Sequence, residues 1–385
     1  MGLTTETKID LLAEGAGFDV CQAAPGASPL RHDDLSRWLY PAVVSGGRVV
    51  NLFKVLLSNV CFNDCSYCAN RRDSACRRAS LGPEELVRSF LELHRRGRAQ
   101  GLFLSSALAG SGPATMDRLL AAVEHLRLRE GFRGYIHLKI MPGAEREAVA
   151  RAVQLADRVS INLEAPNPSR LAGLSNDKNF AELLQRLRWA HELRRESGGA
   201  PSGLTTQYVV GAAGESDAEL LATSGRLYRE VGLARAYYSA FRPLPGTPLE
   251  GLPATSPRRE LRLYQADFLL RSYGYRADEM VVDGDGNLPQ NSDPKVAWAR
   301  AHPERFPVDI QTAGRSQLLR VPGIGPRGAE AILAARRQAR LRDPRQLRAL
   351  GIAAGHAAPY VLLDGKQPAS ARMRQASLWT EDELR

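Results

Sequence analysis

Cys61, Cys65 and Cys68 follow one another at spacings of four and three residues, with Tyr67 directly before the third. Such crowding puts three thiolates around one point, and soft thiolates select zinc, copper or iron–sulfur clusters. No fourth cysteine follows at a matching spacing. Structural zinc sites usually close with four ligands, so three from one loop leave a coordination position open for something that is not protein. A zinc or disulfide site is the lesser alternative for three clustered thiols. Cys21 and Cys76 stand apart and read as ordinary thiols, because two cysteines are too few for a four-thiolate auxiliary cluster. With three of five cysteines in one loop, the usage speaks against a disulfide scaffold and for a reducing compartment.

The loop must be held by what precedes it, and residues 52–57 form an apolar run that reads as a buried strand. From residue 49 to 242 the chain alternates short apolar runs with helical stripes. Strands are expected at 53–58, 101–106, 134–140, 158–163, 205–210 and 236–241, and helices at 83–98, 116–129, 145–156, 179–195 and 216–231. Leu86, Phe90 and Leu93 form one such stripe. This alternation predicts parallel strands joined by right-handed crossovers. Six units make an α/β fold with a partial (βα)6 TIM-type barrel.

In a parallel barrel the working residues sit at the C-terminal ends of the strands. The cysteine loop falls after the first expected strand. Ser105 and Ser106 end the second, His137 and Lys139 line the third, and Asn162 and Glu164 end the fourth. Gln207 and Gly211 bracket the fifth, while Tyr237, Tyr238 and Arg242 run along the sixth. A ring of polar groups from every strand is better explained by a ligand than by chance core polars. Lys139 suits a carboxylate or phosphate partner.

The cysteine spacing and the aromatic residue before the third cysteine resemble the radical S-adenosylmethionine (SAM) superfamily. The resemblance implies that Cys61, Cys65 and Cys68 hold a 4Fe–4S cluster whose open iron chelates the methionine end of SAM. It independently implies the partial barrel. It also places Ser105 and Ser106 at the turn that binds the cofactor's amino group, although paired glycines and a glutamate are missing there. Asn162 and Glu164 match the position contacting ribose or carboxylate, Val209 to Gly211 match the segment along adenine, and Tyr67 and Gln207 join the cofactor-binding set. The chemistry implied is reductive cleavage of SAM to a 5'-deoxyadenosyl radical, which takes hydrogen from a substrate. Lys139, Tyr237, Tyr238 and Arg242 are the expected catalytic or substrate-contacting residues.

A second signal lies in Val321-Pro322-Gly323-Ile324-Gly325-Pro326-Arg327. A helix beginning near Thr312 should stop at Pro322-Gly323 and a new one open near Arg327, with Ile332 and Leu333 packing back on Leu318 and Leu319. Glycines on both sides of Ile324 would free backbone amides for a phosphate. This resembles the helix-hairpin-helix module of DNA repair and recombination proteins, which grips the DNA backbone. Gly323, Ile324, Gly325, Arg327 and Arg336 are the expected nucleic-acid contacts, and 347–360 reads as a degenerate second hairpin. The expected domains are an N-terminal extension over the barrel mouth (1–48), the barrel (49–275), a linker (276–308), a small all-α C-terminal helix-hairpin-helix domain (309–365) and a loose tail (366–385).

Phe18-Asp19-Val20, Leu57-Ser58-Asn59-Val60-Cys61, Tyr67-Cys68-Ala69-Asn70-Arg71-Arg72, Gly101-Leu102-Phe103-Leu104-Ser105-Ser106, Tyr135-Ile136-His137-Leu138-Lys139, Leu263-Tyr264-Gln265-Ala266-Asp267 and the hairpin together look like radical SAM proteins assigned to DNA modification or repair. Such proteins are often linked to a partner resembling uracil-DNA glycosylase. A nucleotide-containing substrate and an electron donor of flavodoxin or ferredoxin type are implied. The net charge is +10, with 46 arginines and six lysines, which favours polyanionic partners. A base in duplex DNA would have to leave the stack to reach a barrel. Two other readings remain: a radical enzyme on a free nucleotide with the hairpin as scaffold, and a non-catalytic iron–sulfur DNA-binding protein. No apolar run approaches the roughly 18 residues a membrane span needs, and the polar N-terminus reads as neither signal nor transit peptide, so a cytoplasmic protein is expected.

Overall fold

The structure, a computed structural model, describes residues 3–17, 38–43 and 49–368. Cys21, the Phe18-Asp19-Val20 motif, the turn at 45–47 and the tail from 369 lie outside the described residues. The chain forms two compact units, Met1–Glu260 and Leu261–Arg385.

The first unit is built on a seven-stranded sheet in which neighbours in space are neighbours in sequence. Its strands are β1 (Leu39–Val43), β2 (Val49–Leu56), β3 (Gly101–Ser105), β4 (Tyr135–Lys139), β5 (Arg158–Ser160), β6 (Leu204–Val210) and β7 (Arg235–Ala240). β2 to β7 run parallel, as the alternation requires, and β1 pairs antiparallel with β2. The fold is thus α/β with a curled half-barrel sheet. β1 escapes a pattern reading because it is short and contains Pro41. A residue without an N–H is tolerated only on such an edge.

Helices α1 (Thr5–Ala16), α2 (Pro83–Arg95), α3 (Gly112–Glu124), α4 (Arg146–Leu155), α5 (Pro168–Ala172), α6 (Phe180–Ser197), α7 (Asp217–Glu230) and α8 (Pro257–Ser272) accompany the sheet; α8 crosses from the first unit into the second. Their starts follow local chemistry: the Ser111 hydroxyl accepts from Ala114 N, the Asn179 side chain from Glu182 N, and Ser216 with Glu219 forms a reciprocal capping box. Leu86, Phe90 and Leu93 are buried as the stripe predicts. α3 runs on into a π-helical turn, His125–Arg129.

β5 stops at Ser160 rather than at 163. Beyond it the Thr206 hydroxyl replaces a ladder partner by accepting from Leu163 N (3.1 Å), and Glu164 turns to φ +64°. Part of the expected N-terminal extension belongs to the sheet itself as β1.

The second unit contains α9 (Pro294–Ala301), β8 (Val308–Asp309), α10 (Arg315–Leu318), α11 (Pro326–Ala335), α12 (Pro344–Ala349), α13 (Ala354–Ala357) and β9 (Val361–Leu362). Residues 276–308, expected as a linker, are folded. Trp298 is 1% exposed, stacked on His302 at 4.3 Å and met edge-on by Tyr275 at 5.3 Å. Leu318, Leu319, Ile324, Ile332, Leu347 and Ile352 share one core. α10 is a single turn, shorter than the helix expected from Thr312. Two helix–turn–helix pairs result, α10/α11 and α12/α13, with Gly323 (φ +81°) and Gly351 (φ +74°) in the left-handed region at their turns. Among the described residues no helix is long and apolar enough to cross a membrane.

Candidate active site

The cysteine loop leaves β2 where Leu57 N donates to Ser105 O at 2.8 Å. It has no regular structure, so its shape depends on side chains. Asp64, 7% exposed, accepts from Ser175 Oγ (2.6 Å), Asn176 Nδ2 (2.9 Å) and Asn176 N (3.2 Å), while Asp64 N donates to Asp177 Oδ2 at 2.8 Å. Burial opposes the charge, but these donors outweigh it and hold the Asp64 carboxyl well below the usual range. The Arg78 guanidinium donates to the carbonyls of Asn59, Asn70, Arg71 and Ser74 at 2.6–3.1 Å. Neither residue stands out in the sequence, since an Asp and an Arg in a polar loop carry no periodic signal.

The loop delivers all three thiols to the wall of one cavity of about 510 Å³. They are free thiols. Asn63 N donates to Cys61 Sγ and Asn70 N to Cys68 Sγ, each at 3.4 Å. Burial, with Cys65 beside it, pushes the Cys68 thiol up to about 12, so a thiolate here needs a cation as its partner. Among the described residues no group of three or more His, Cys, Asp and Glu side chains is arranged around a single metal ion. Thiolates that each bind a separate iron of a cluster need not converge in that way.

Of the residues expected from sequence, Tyr67, Ser106, Lys139, Asn162, Glu164, Gln207, Val209 and Arg242 line this cavity with the cysteines. Four of the expected cofactor-binding or catalytic residues do not, nor does His137. Ser105 is fully buried, one position short of the opening, and among the described residues its Oγ has no hydrogen-bond partner. Tyr238 points to the helix side, where its hydroxyl donates to Ser224 Oγ at 2.8 Å in the core. Tyr237, 3% exposed, lies against the Arg235 guanidinium at 4.9 Å. Strand alternation puts one of two successive tyrosines on each face, and the lining of the cavity at β7 begins only at Ser239. Gly211 has φ +90°, and a Cβ there would collide with the Thr255 hydroxyl, which donates to Val210 O at 2.6 Å. Packing of the following loop, rather than approach to a ligand, explains that glycine.

Sequence reading missed Lys178 and Glu260. Lys178 Nζ donates to Glu164 Oε1 at 2.9 Å and to Tyr67 Oη at 3.1 Å, with the ion pair 9% and 6% exposed. Burial opposes its charge, yet Cys65, Glu164 and Tyr67 together raise its pKa well above the ordinary lysine value. The left-handed backbone of Glu164 is held by Glu164 N donating to Gln207 O (2.9 Å) and Val209 N to Glu164 O (2.8 Å). Beneath the cavity His137 is buried edge-on to Phe103 at 4.7 Å, and burial with the charges of Arg158, Lys139 and Lys54 holds its pKa well below that of a free imidazole.

Residues 55–226 match the profile of the Radical SAM superfamily. This segment is similar to a radical SAM domain. That superfamily uses a 4Fe–4S cluster and SAM, and three free thiols from one loop are the donors such clusters take. The FeFe-hydrogenase maturase HydG from Carboxydothermus hydrogenoformans is 18% identical over 56% of this chain and 50% of its own, with TM-score 0.46. Methylornithine synthase (PylB) is 18% identical over 56% of this chain and 60% of its own, with TM-score 0.45. Coproporphyrinogen III oxidase (HemN) from Escherichia coli, a radical SAM enzyme, is 15% identical over 53% of this chain and 48% of its own, with TM-score 0.35. The chain therefore spans about half the length of the solved proteins it resembles. The match contains the cysteine loop, whereas Tyr40 on one side and Ser239, Arg242 and Glu260 on the other line the same cavity from outside it.

The second unit places the expected nucleic-acid residues unevenly. Ile324 is a core residue at 1% exposure, and its N–H is taken by Val321 O at 3.1 Å. Arg336 donates to Ala313 O at 2.6 Å and Ile310 O at 3.2 Å, which makes it a brace for the fold. Arg327, Arg337, Arg345 and Arg348 are exposed and, among the described residues, form no ion pair.

Proposed function

We propose that the chain is a radical SAM enzyme acting on a nucleotide-containing substrate, with DNA as the polymer that carries it. The observation supporting this reading is one cavity that joins three free thiols to cationic strand-end groups, Lys139 and Arg242. When bound, the cluster and SAM supply one-electron cleavage of a carbon–sulfur bond and hydrogen-atom abstraction from the substrate. Cys61, Cys65 and Cys68 hold the cluster. Tyr67, Ser106, Asn162, Glu164, Gln207 and Val209 position SAM, while Lys139 and Arg242 offer donors to anionic oxygen. Electrons come from a flavodoxin- or ferredoxin-type protein, and the setting is the cytoplasm.

The DNA part of the reading rests on the paired helix–turn–helix units and the exposed arginines of the second unit, read as a helix-hairpin-helix module. The resemblance that brings this module also brings a partner similar to uracil-DNA glycosylase. A free nucleotide as substrate, with the hairpins as scaffold, is favoured by the internal use of Ile324 and Arg336.

Anaerobic reconstitution, followed by cofactor-cleavage assays with single-stranded DNA, duplex DNA, RNA and mononucleotides side by side, tests both. Cys65→Ala should abolish cleavage and leave DNA binding intact. Arg327→Glu should weaken DNA binding and leave cleavage with mononucleotides intact. Equal loss of both activities in either variant contradicts the two-module reading, and binding of neither DNA nor nucleotides removes it.

A further inference from the structure

Glu260 lines the cavity with Arg242, at the rim formed by the end of β7. Its Oε2 accepts from Ala240 N at 3.2 Å, which fixes the carboxyl two residues from Arg242 along the chain. The neighbouring Arg259 is turned away and committed, donating to Asp217 Oδ1 and Glu215 O, each at 2.7 Å. Arg242 is exposed and, among the described residues, makes no hydrogen bond or ion pair. Acceptor and donor thus line one cavity, near enough for the Arg242 charge to act on the carboxyl and without an ion pair between them. Burial raises the Glu260 pKa, with the Ala240 amide and the charge of Arg242 opposing it.

A carboxylate accepts from two N–H groups on one edge, and a guanidinium beside it donates to a neighbouring carbonyl. Among the bases only guanine offers this run, with N1–H and N2–H for the acceptor and O6 for the donor; thymine, cytosine and adenine each give the carboxylate a single donor group. We propose that Glu260 and Arg242 are the specificity-determining pair of this cavity and read the N–H/C=O edge of a guanine base. The inference rests on the nucleotide reading above and deepens it by naming the base.

The test uses the reconstituted enzyme with SAM and measures equilibrium binding of the 5'-monophosphates dGMP, dAMP, dCMP and dTMP. The wild type should bind dGMP most tightly. Glu260→Gln, which keeps the shape, should weaken dGMP by about tenfold, the scale of one charge-assisted hydrogen bond, and erase the preference. SAM affinity and unfolding temperature should not move, which a merely structural role would not predict. Arg242→Ala, a change at an exposed position, should also lower dGMP selectivity, so the pair is testable even if the Glu260 variant folds poorly. Binding of none of the four by the wild type overturns the nucleotide reading and this inference with it. A wild-type preference for another base, or unchanged dGMP affinity and ranking in Glu260→Gln, overturns this inference alone.

Discussion

Replacing Lys178 with methionine tests whether the buried pair it forms with Glu164 holds the cavity wall. The two charges lie 2.9 Å apart at 9% and 6% exposure. With an effective dielectric near 20, their attraction is roughly 6 kcal/mol, most of which offsets the cost of removing both ions from water. The net value of the intact pair is therefore small. Removing one partner is different, because it leaves a carboxylate buried alone; such changes cost about 3–5 kcal/mol. The loss falls on a residue already held in a left-handed backbone. At about 2 °C per kcal/mol for a unit of this size, the melting temperature of the anaerobically purified protein should fall by about 6–10 °C. Lys178→Met with Glu164→Gln removes both charges and should recover at least half of that loss. A single variant melting within about 2 °C of wild type, or a double variant no better than Lys178→Met alone, refutes the reasoning.

Three further outcomes follow from residues that sequence and structure assign differently. Tyr238→Phe loses the 2.8 Å bond to Ser224 and should cost about 1–2 kcal/mol in denaturant titration while cofactor cleavage stays at the wild-type rate. Arg336→Met frees the carbonyls of Ile310 and Ala313 and should destabilise the second unit by about 2–3 kcal/mol, whereas Arg327→Met should leave stability unchanged within about 0.5 kcal/mol. Lys295 is 7% exposed, donates to Ile324 O at 2.6 Å, and is pushed down from 10.5 to about 7, chiefly by burial and secondarily by Arg320. The unfolded chain then holds the extra proton between those values, so stability rises with pH across that window and is lost as pH falls towards 7. The second unit should gain about 2–3 kcal/mol between pH 7 and 9, and Lys295→Met should flatten that gain.

The sheet was legible because each parallel strand is a short apolar run and each crossover helix repeats its apolar residues at three- and four-residue spacing. Both periods survive in the sequence without knowledge of partners. β1 was not legible, since pairing on an edge supplies the stability that its own residues lack. The folded character of 276–308 was hidden for a related reason. Trp298 is one aromatic in a polar stretch, and only the convergence of Tyr275, His302 and Arg320 on it makes a core.

The two sides of the cavity differ in the same respect. The thiol side is local: three cysteines in one loop announce themselves by spacing, and Asp64 and Arg78 merely fix what the spacing implies. The rest of the lining draws on Lys139, Lys178, Arg242 and Glu260, which lie far apart in sequence and share one cavity only through the tertiary fold, Lys178 reaching the cysteine loop at Tyr67. Strand-end logic finds Lys139 and Arg242, since polar atoms where a strand ends are conspicuous. It overreaches at Tyr238, because alternation sends every second residue to the helices, and it cannot reach Glu260, which enters from the first turn of α8. The residues that initiate chemistry can therefore be read from one loop. Those proposed to choose the substrate depend on tertiary structure, and substitutions at Arg242 and Glu260 should alter selectivity without touching the three thiols.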